Sequence, residues 1–303
     1  MLRQAENKVR IEGILSEINL KYGSFVKNGA TVDTIGGNIK VLVHQTINGE
    51  DVTLEIPVYM FAPKLTNAGK PNPAFESIEK VMTEFTSIAS GAGEAGADKI
   101  RITNGNIRMN EYYNQQGQLV SFPRVNASFV TKATGEFRPE ASWSLEFAVS
   151  SMDFVTDSEG VEVEPKKLRI KAIVPQYGGK VDTMEFYATN PRVIDAITSY
   201  WENQKTYSAK GRLNFTSTTK EIIEECDFGE PDVRVQTVSV SELIVTKGTQ
   251  APMEDDMAFA PADLAQALKE HKAYLETLKD KTASKPKATP APTSAHQEFD
   301  LGF

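Results

Sequence analysis

The chain has 303 residues, of which 40% are hydrophobic and 24% are charged, a composition that can bury a sizeable core in one large domain or two ordinary ones. No apolar run approaches the roughly 18–20 residues of a membrane span, which excludes a membrane-spanning helix. The formal net charge is −8, and residues 1–250 alone carry 27 basic and 32 acidic residues, which argues against a protein that coats nucleic acid by bulk charge and requires local basic strips for any polyanion.

Strand patterns dominate the first half of the chain. Alternation over KVRIEGILSEINL predicts a first strand with a bulge at Gly13. The segment IKVLVHQTINGEDVTLEIPVYMF predicts two strands joined at Asn48–Gly49, a strong hairpin signal. Helical spacing over PAFESIEKVMTEFTSI predicts a helix, and SGAGEAG predicts a loop. Two further strands are predicted over DKIRITNGNIRMNEYY and QLVSFPRVNASFVTKA.

The same order of elements recurs in the second half. Three strands are predicted over SWSLEFAVSSMDFV, LRIKAIV and KVDTMEFYA, a helix over NPRVIDAITSYWENQ, and two strands over KTYSAKGRLNFTS and VRVQTVSVSELIVTKG. The halves close alike, in FVTKA and IVTKG, although no fixed period relates them. Any repeat is therefore one of structure rather than of sequence.

Five strands with a helix between the third and fourth is the element order of the OB-fold, a small Greek-key barrel. We therefore predict a mainly β (β-rich α+β) protein with two tandem OB-fold-like five-stranded barrels, over residues 1–138 and 139–250. A β-rich α+β protein of another topology is the alternative. Residues 251–282 are predicted to form a linker and a C-terminal helix. Residues 283–303 lack the apolar content to fold alone and are predicted to be a disordered tail.

The sequence offers no constellation of catalytic residues, so we predict no enzyme, no cofactor and no metal site. His44, His271 and His296 fall in a predicted strand, a helix and the tail, without ligand spacing. The only cysteine, Cys226, lies in the acidic run EIIEECDFGE, which disfavours a thiolate. One cysteine excludes an intrachain disulfide, and the start of the chain has no apolar secretory segment, so we expect a reducing, cytoplasmic location.

Proteins that bind single strands combine a basic groove with aromatic platforms, and in an OB barrel this groove crosses the middle strands between the 1–2 and 4–5 loops. Candidates in the first half are Lys21, Tyr22, Phe25 and Lys27 in a predicted loop after strand 1, then Arg108, Asn110, Tyr112, Tyr113, Phe122 and Arg124 around strand 4 and its turn. Candidates in the second half are Arg169, Lys171, Lys210 and Arg212, with Phe186 and Tyr187 as further rings. Trp143 is predicted to be core.

The tail places apolar and acidic side chains together at its tip. The segment HQEFDLGF follows the linker SKPKATPAPTSA. This arrangement resembles the single-stranded DNA-binding proteins of bacteria and their tailed phages. In that family an OB core binds the strand, and a disordered linker carries an acidic tip, ending in a bulky apolar residue, to basic, apolar-floored pockets of replication and repair proteins.

The resemblance implies that single-stranded DNA is one partner and that replication and recombination proteins are the others. The tip residues implied to bind these proteins are Glu298, Phe299, Asp300, Leu301 and Phe303. The tip departs from the usual bacterial one, which has consecutive aspartates followed by Ile-Pro-Phe on a chain with a single OB domain. Two barrels and a helix before the tail look more like a phage version, which would act in the bacterial host cytoplasm.

A second function stays open at this point. In a protein-interaction adaptor the barrels would bind a protein partner and no nucleic acid, and the net charge of residues 1–250 favours this alternative. A continuous positive channel would favour DNA, whereas an apolar patch without positive potential would favour the adaptor.

Overall fold

The structure, a computed structural model, describes residues 2–47, 49–114, 116–224 and 232–283. The first half closes into a barrel, in which β1, β2 and β3 form an antiparallel meander, β5 runs parallel to β3, and β4 pairs with both β5 and β1. Its strands are β1 (Asn7–Lys27), β2 (Ala30–Ile47), β3 (Glu50–Pro63), β4 (Lys99–Tyr113) and β5 (Leu119–Asn126). A two-residue strand, β6 (Thr131–Lys132), pairs with β4.

The helix between the third and fourth strands, α1 (Pro73–Glu84), has its apolar face in the core. Asn72 caps it by accepting a hydrogen bond from the Ala74 backbone, and proline occupies the first turn, where no helical N–H is lost. The predicted loop that follows contains a single 3-10 turn and a four-residue helix, α2 (Gly93–Gly96).

The second half repeats this circuit. Strand β9 pairs with β8 and runs parallel to β11, while β10 pairs with both β11 and β7. Its elements are β7 (Glu140–Phe154), β8 (Leu168–Pro175), β9 (Val181–Ala188), α3 (Pro191–Tyr200), β10 (Thr206–Glu224) and β11 (Asp232–Gly248). The prediction of two tandem OB-fold-like barrels is confirmed, and we call them barrel 1 and barrel 2.

The two barrels belong to one sheet, because the start of β1 pairs with β7 from Asn7↔Leu145 to Glu12↔Glu140. The C-terminal helix, α4 (Pro261–Ala283), lies against β4 of barrel 1 and β9 of barrel 2. No helix in the described part of the chain is both long and apolar enough to cross a membrane.

Alternation along the strands sends apolar side chains inward and leaves a polar outer face. In barrel 2 the core is aromatic: the rings of Trp143 and Phe186 stack with centroids 5.1 Å apart, and their exposed fractions are 2% and 0%. Trp143 is therefore core, as predicted. Phe186 cannot serve as a surface platform, which corrects its listing among the candidate rings.

Two local predictions in β1 are wrong. The predicted loop around Lys21 and Lys27 is the outer half of β1, which pairs with β2 until Lys27↔Ala30 and turns at Asn28–Gly29. Backbone hydrogen bonds thus continue beyond the barrel and form a long hairpin arm. Gly13 is not at a bulge; it lies where β1 and β2 approach closely, and a Cβ there would be 2.5 Å from the carbonyl oxygen of Leu42.

Several predictions fall outside the described residues. These are the tip at 298–303, nearly all of the predicted tail, Cys226 and Asn48, although β2 and β3 do pair across the predicted hairpin. The domain limits at 138/139, 250/251 and 282/283 stay predictions.

Candidate nucleic-acid interface

One row of side chains crosses the outer face of barrel 1, and we call it the central row. Strand pairing aligns its members in the order Asn19 (β1), Asn38 (β2), Tyr59 (β3), Asn126 (β5) and Asn106 (β4). The neighbours of Tyr59 along β3 are fully buried, so alternation directs Tyr59 outward. The row therefore places one aromatic ring between amide side chains on an accessible surface.

A guanidinium group lies over one face of the ring of this row. The Cζ atom of Arg124 lies 4.1 Å from the Tyr59 ring centroid, within the range of a cation–π contact. Its Nη1 donates to Oδ1 of Asn110 at 3.0 Å and its Nε donates to Oδ1 of Asn126 at 3.2 Å. Among the described residues, no carboxylate pairs with Arg124. Amides fix the side chain and leave its positive charge uncompensated.

Partial burial lowers the pKa of Arg124, and the neighbouring charge of Arg108, its partner across the β4–β5 pair, acts in the same direction. An arginine remains protonated despite such a shift. Because Arg108 is paired with Asp182, the Arg124 guanidinium is the one of the two that stays available to attract an anion.

Three members of the central row, Asn19, Asn38 and Tyr59, line a cavity of about 390 Å³ on the outer face together with Arg124. Phe122, with 38% of its surface exposed, forms one wall, and Lys40 lies opposite in an ion pair with Glu17 at 2.8 Å. The next row aligns Lys21, Gly36 and Phe61. A Cβ at Gly36 would come within 2.9 Å of the Phe61 ring, so this glycine keeps open the space that the exposed ring occupies.

A second cavity, of about 900 Å³, continues from barrel 1 to barrel 2. Phe122 lines both cavities, and Lys171 and Tyr187 line the far side of the second. We call the two cavities together the groove. Aromatic and basic side chains from both barrels thus border two adjacent cavities that share Phe122.

The outer face of barrel 2 holds a similar ring with different neighbours. Tyr187 occupies the position of Tyr59, since each is the second residue of the parallel pairing between the third and fifth strands. The Nζ atom of Lys167 lies 4.4 Å from the Tyr187 ring, but Lys167 is also paired with Glu242. The Tyr187 hydroxyl donates to Glu185 at 2.8 Å, and burial together with this hydrogen bond raises the pKa of Tyr187.

A seam of polar contacts beside the groove joins barrel 1 to barrel 2 and to α4. Arg108 donates from Nε to Oδ2 of Asp182 at 2.6 Å, and Asp182, which is only 5% exposed, also accepts from the Met109 backbone. His271 of α4 lies 3.3 Å from Glu111, measured from Nε2 to Oε2, and both side chains are largely buried. The interaction with Glu111 raises the pKa of His271 against an opposing effect of burial.

The structure brings some predicted residues into or beside the groove. Phe122, Arg124 and Lys171 line it, and Arg108, Asn110 and Tyr112 share the outer side of β4 that borders it. Arg169 lies on the outer face of barrel 2 but is paired with Asp153, with 3.0 Å between its Nε and Oδ2. On the hairpin arm, alternation places Lys21, Phe25 and Lys27 on the groove side.

Four predicted residues lie elsewhere. Tyr22 is on the opposite face of the arm, where its hydroxyl donates to Glu79 of α1 at 2.7 Å, and Tyr113 is on the opposite face of β4 from Tyr112. Arg212 borders a separate cavity beside the β2–β3 hairpin, and Lys210 shares its face of β10. None of these four residues lines the groove, so their role in DNA binding stays a prediction.

Sequence reasoning missed the residues at the centre of the site: Asn19, Asn38, Lys40, Tyr59 and Phe61. The available signal was the position of the OB groove over the middle strands, whose outer residues are the polar and aromatic members of an alternating pattern. Within the described ranges, no group of three or more His, Cys, Asp or Glu residues is placed to hold a metal ion.

The sequence matches the family described as YorF over residues 5–281. No curated protein matches it. Among solved structures, the wild-type single-stranded DNA binding protein from Thermus aquaticus is similar with a TM-score of 0.51 and 12% identity, over 84% of this chain and 97% of that chain. A deletion mutant of that protein gives a TM-score of 0.49 and 15% identity, over 85% and 98% of the two chains. At this identity the likeness concerns the fold.

Proposed function

We propose that this chain, which belongs to the YorF family, binds single-stranded DNA without catalysing a reaction. The strand would lie along the groove, from the central row of barrel 1 past Phe122 to Lys171 and Tyr187 of barrel 2. The observation that carries this proposal is the uncompensated Arg124 guanidinium over Tyr59, at the centre of an accessible cavity.

The physical basis is the pairing of rings with cations. Tyr59, Phe61 and Phe122 offer ring faces on which bases stack, and stacking contributes about 1–3 kcal/mol per base. Arg124 and the arm lysine Lys21 offer positive charge to phosphates, and each such contact releases counterions. The fold shared with the Thermus aquaticus protein, whose name states single-stranded DNA binding, supports a ligand of this class.

The direct test is fluorescence anisotropy of a labelled oligo-dT at several salt concentrations, with a duplex of equal length as the control. We expect binding that is tighter for the single strand and that weakens linearly in log affinity with log salt. No binding near physiological salt, or an affinity that is independent of salt, would contradict the proposal.

A finer part of the proposal concerns the tip, residues 298–303. The alternation of Phe299 and Leu301 with Glu298 and Asp300 suits a basic, apolar-floored pocket on a replication, recombination or repair protein. Such proteins would be recruited to exposed strands in a bacterial cytoplasm, including that of a phage-infected host. Deletion of 298–303 should leave DNA affinity unchanged or tighter and abolish capture of replication proteins from a bacterial lysate.

A protein-interaction adaptor is the second candidate, and the outer face of barrel 2 favours it. There Lys167 and Arg169 are paired with Glu242 and Asp153, which leaves little free positive charge for a phosphate chain. The anisotropy experiment separates the two candidates, because an adaptor would bind neither the single strand nor the duplex.

A further inference from the structure

We infer that barrel 1 selects among DNA bases, through the amides of Asn19 and Asn38 beside the Tyr59 ring. A base stacked on Tyr59 would present its hydrogen-bonding edge to these amides. The inference rests on the proposed function and narrows its ligand, from any single strand to strands with a preferred base at the central row.

The two halves of the central row differ in whether their amide side chains already have hydrogen-bond partners. On the β4–β5 side, Asn126 accepts from Arg124 and its Nδ2 lies 3.4 Å from Oδ1 of Asn106. On the β1–β2 side, Asn19 and Asn38 face each other in register and are both exposed. Among the described residues, neither of these two side chains has a hydrogen-bond partner. Their donors and acceptors are therefore free for a ligand.

The backbone holds these two amides together. Gly37, which precedes Asn38, has a φ of +148°, and a Cβ at this position would lie 2.0 Å from the backbone carbonyl oxygen of Asn19. Only glycine allows this approach between β1 and β2. The backbone positions that carry the amides are consequently fixed by strand pairing beside Tyr59 instead of lying on a loop.

The chemistry of a carboxamide suits base readout. It presents a donor and an acceptor side by side and can bond a base edge in bidentate fashion, as asparagine does with N6 and N7 of adenine. Cations that contact phosphates position a strand but carry no sequence information. A sequence-neutral binder needs only rings and cations, so free amides next to the stacking ring add a capacity that such a binder does not use.

Barrel 2 provides an internal comparison at the same row. There the aligned residues are Asp153, Arg169, Tyr187, Ile244 and Arg212. Charged and apolar side chains therefore stand in place of the amides. The ion pair between Asp153 and Arg169 satisfies both groups. Base selection should therefore reside in barrel 1 and be absent from barrel 2.

The test measures the affinities of the full chain for dT, dC and dA oligonucleotides of equal length at one salt concentration. For the unaltered protein we expect the best and worst to differ by about fivefold or more, the size of one base-edge contact. In Asn19→Ala/Asn38→Ala the affinity for the preferred oligonucleotide should fall to that of the others, so that the spread falls below about twofold. The matched control in barrel 2, Asp153→Ala/Arg169→Ala, should keep the spread.

The outcomes are distinguishable. A spread below twofold in the unaltered protein, or one that persists in the double variant, would overturn the inference while DNA binding stands, because preferences from stacking and strand flexibility do not need the amides. Absence of binding to all three oligonucleotides would instead reject the proposed function. Thermal melting verifies that the variants fold, and Asn38→Ser offers a milder second variant that should reduce the spread by itself.

Discussion

Barrel 1 and barrel 2 share a circuit of strands and a tyrosine at the same position, yet they surround that ring with opposite chemistry. In barrel 1, Arg124 lies over Tyr59 and is held by amides. In barrel 2, Lys167 lies over Tyr187 but is neutralised by Glu242. The comparison teaches that the fold supplies a platform, whereas the neighbouring side chains decide whether a polyanion can use it.

This difference also reconciles the proposed DNA binding with a net charge of −8. On the outer face of barrel 2, Glu242 and Asp153 neutralise Lys167 and Arg169. The positive charge of Arg124 is left without such a partner among the described residues. We therefore expect barrel 1 to supply most of the affinity and barrel 2 to extend the contact.

The largest expected effect is the loss of the ring in barrel 1. Tyr59→Ala removes the stacking surface and the support of Arg124, and we expect a loss of about 1–3 kcal/mol, or about 5- to 150-fold, in affinity for oligo-dT. The matched variant Tyr187→Ala should lose less, because the carboxylates around that ring oppose the phosphates. Anisotropy titrations of both variants measure the difference. An equal or larger loss for Tyr187→Ala would break the comparison.

A smaller effect separates the free cation from the paired one. Arg124→Gln should reduce the slope of log affinity against log salt by about 0.7, the value for one phosphate contact on a single strand. Arg169→Gln should leave the slope unchanged, since Asp153 already neutralises that guanidinium. Titrations at four or more salt concentrations give the slopes. If both variants change the slope equally, the charges of barrel 2 are as available as that of barrel 1.

A third change converts barrel 2 toward barrel 1. Glu185→Gln/Glu242→Gln replaces the carboxylates beside Tyr187 and Lys167 with amides of similar shape. We expect affinity for oligo-dT to rise by about two- to fivefold at low salt, the size of one partly exposed charge pair. The control Glu162→Gln removes an acidic residue that pairs with Lys166 away from the groove, and it should have no effect. A similar gain in that control would mean that net charge alone sets the affinity.

The element order was predictable because its signals are local. Hairpin residues, helical spacing and prolines at helix starts lie within short stretches, and both barrels follow from them. The hairpin arm was not predictable, because residues Lys21 to Lys27 lack an apolar alternation and become a strand only by pairing with β2. The prediction of a loop over LKYGSFVKNG was based on local composition, which carries no information about pairing with β2.

The site was predictable only in part, for a related reason. Phe122 and Arg124 lie near a turn, and this position made both of them candidates from the sequence. Tyr59 lies in the middle of an ordinary strand, and only the parallel pairing of β3 with β5 places it beside Arg124. Conversely, Arg108 looks free in sequence, whereas its partner Asp182 is 74 residues away and lies in the other barrel.

The smallest effect on DNA affinity is expected from a change in the seam. Its contact between His271 and Glu111 lies beside the groove and does not involve the surroundings of Tyr59 or Tyr187. The interaction with Glu111 raises the pKa of His271 in the folded chain, and the charge of Asp182 acts in the same direction. A raised folded pKa stabilises the fold fully below the unfolded value of about 6.5, and this stabilisation is lost as pH rises through the folded pKa. Glu111→Gln should reduce this loss between mildly acidic and mildly alkaline pH, as followed by thermal unfolding, without changing the affinity for oligo-dT.

Glu270→Gln is the matched control for that seam variant. Glu270 precedes His271 on α4, but its carboxylate accepts a hydrogen bond from Gln266 instead of pairing with the imidazole. Its pH profile of unfolding should therefore follow that of the unaltered chain. If the control flattens the profile as much as Glu111→Gln does, the pH dependence arises from the general charge of α4. If Glu111→Gln instead weakens oligo-dT binding as strongly as Tyr59→Ala, the position of α4 affects DNA affinity more than the difference in charge around Tyr59 and Tyr187 does.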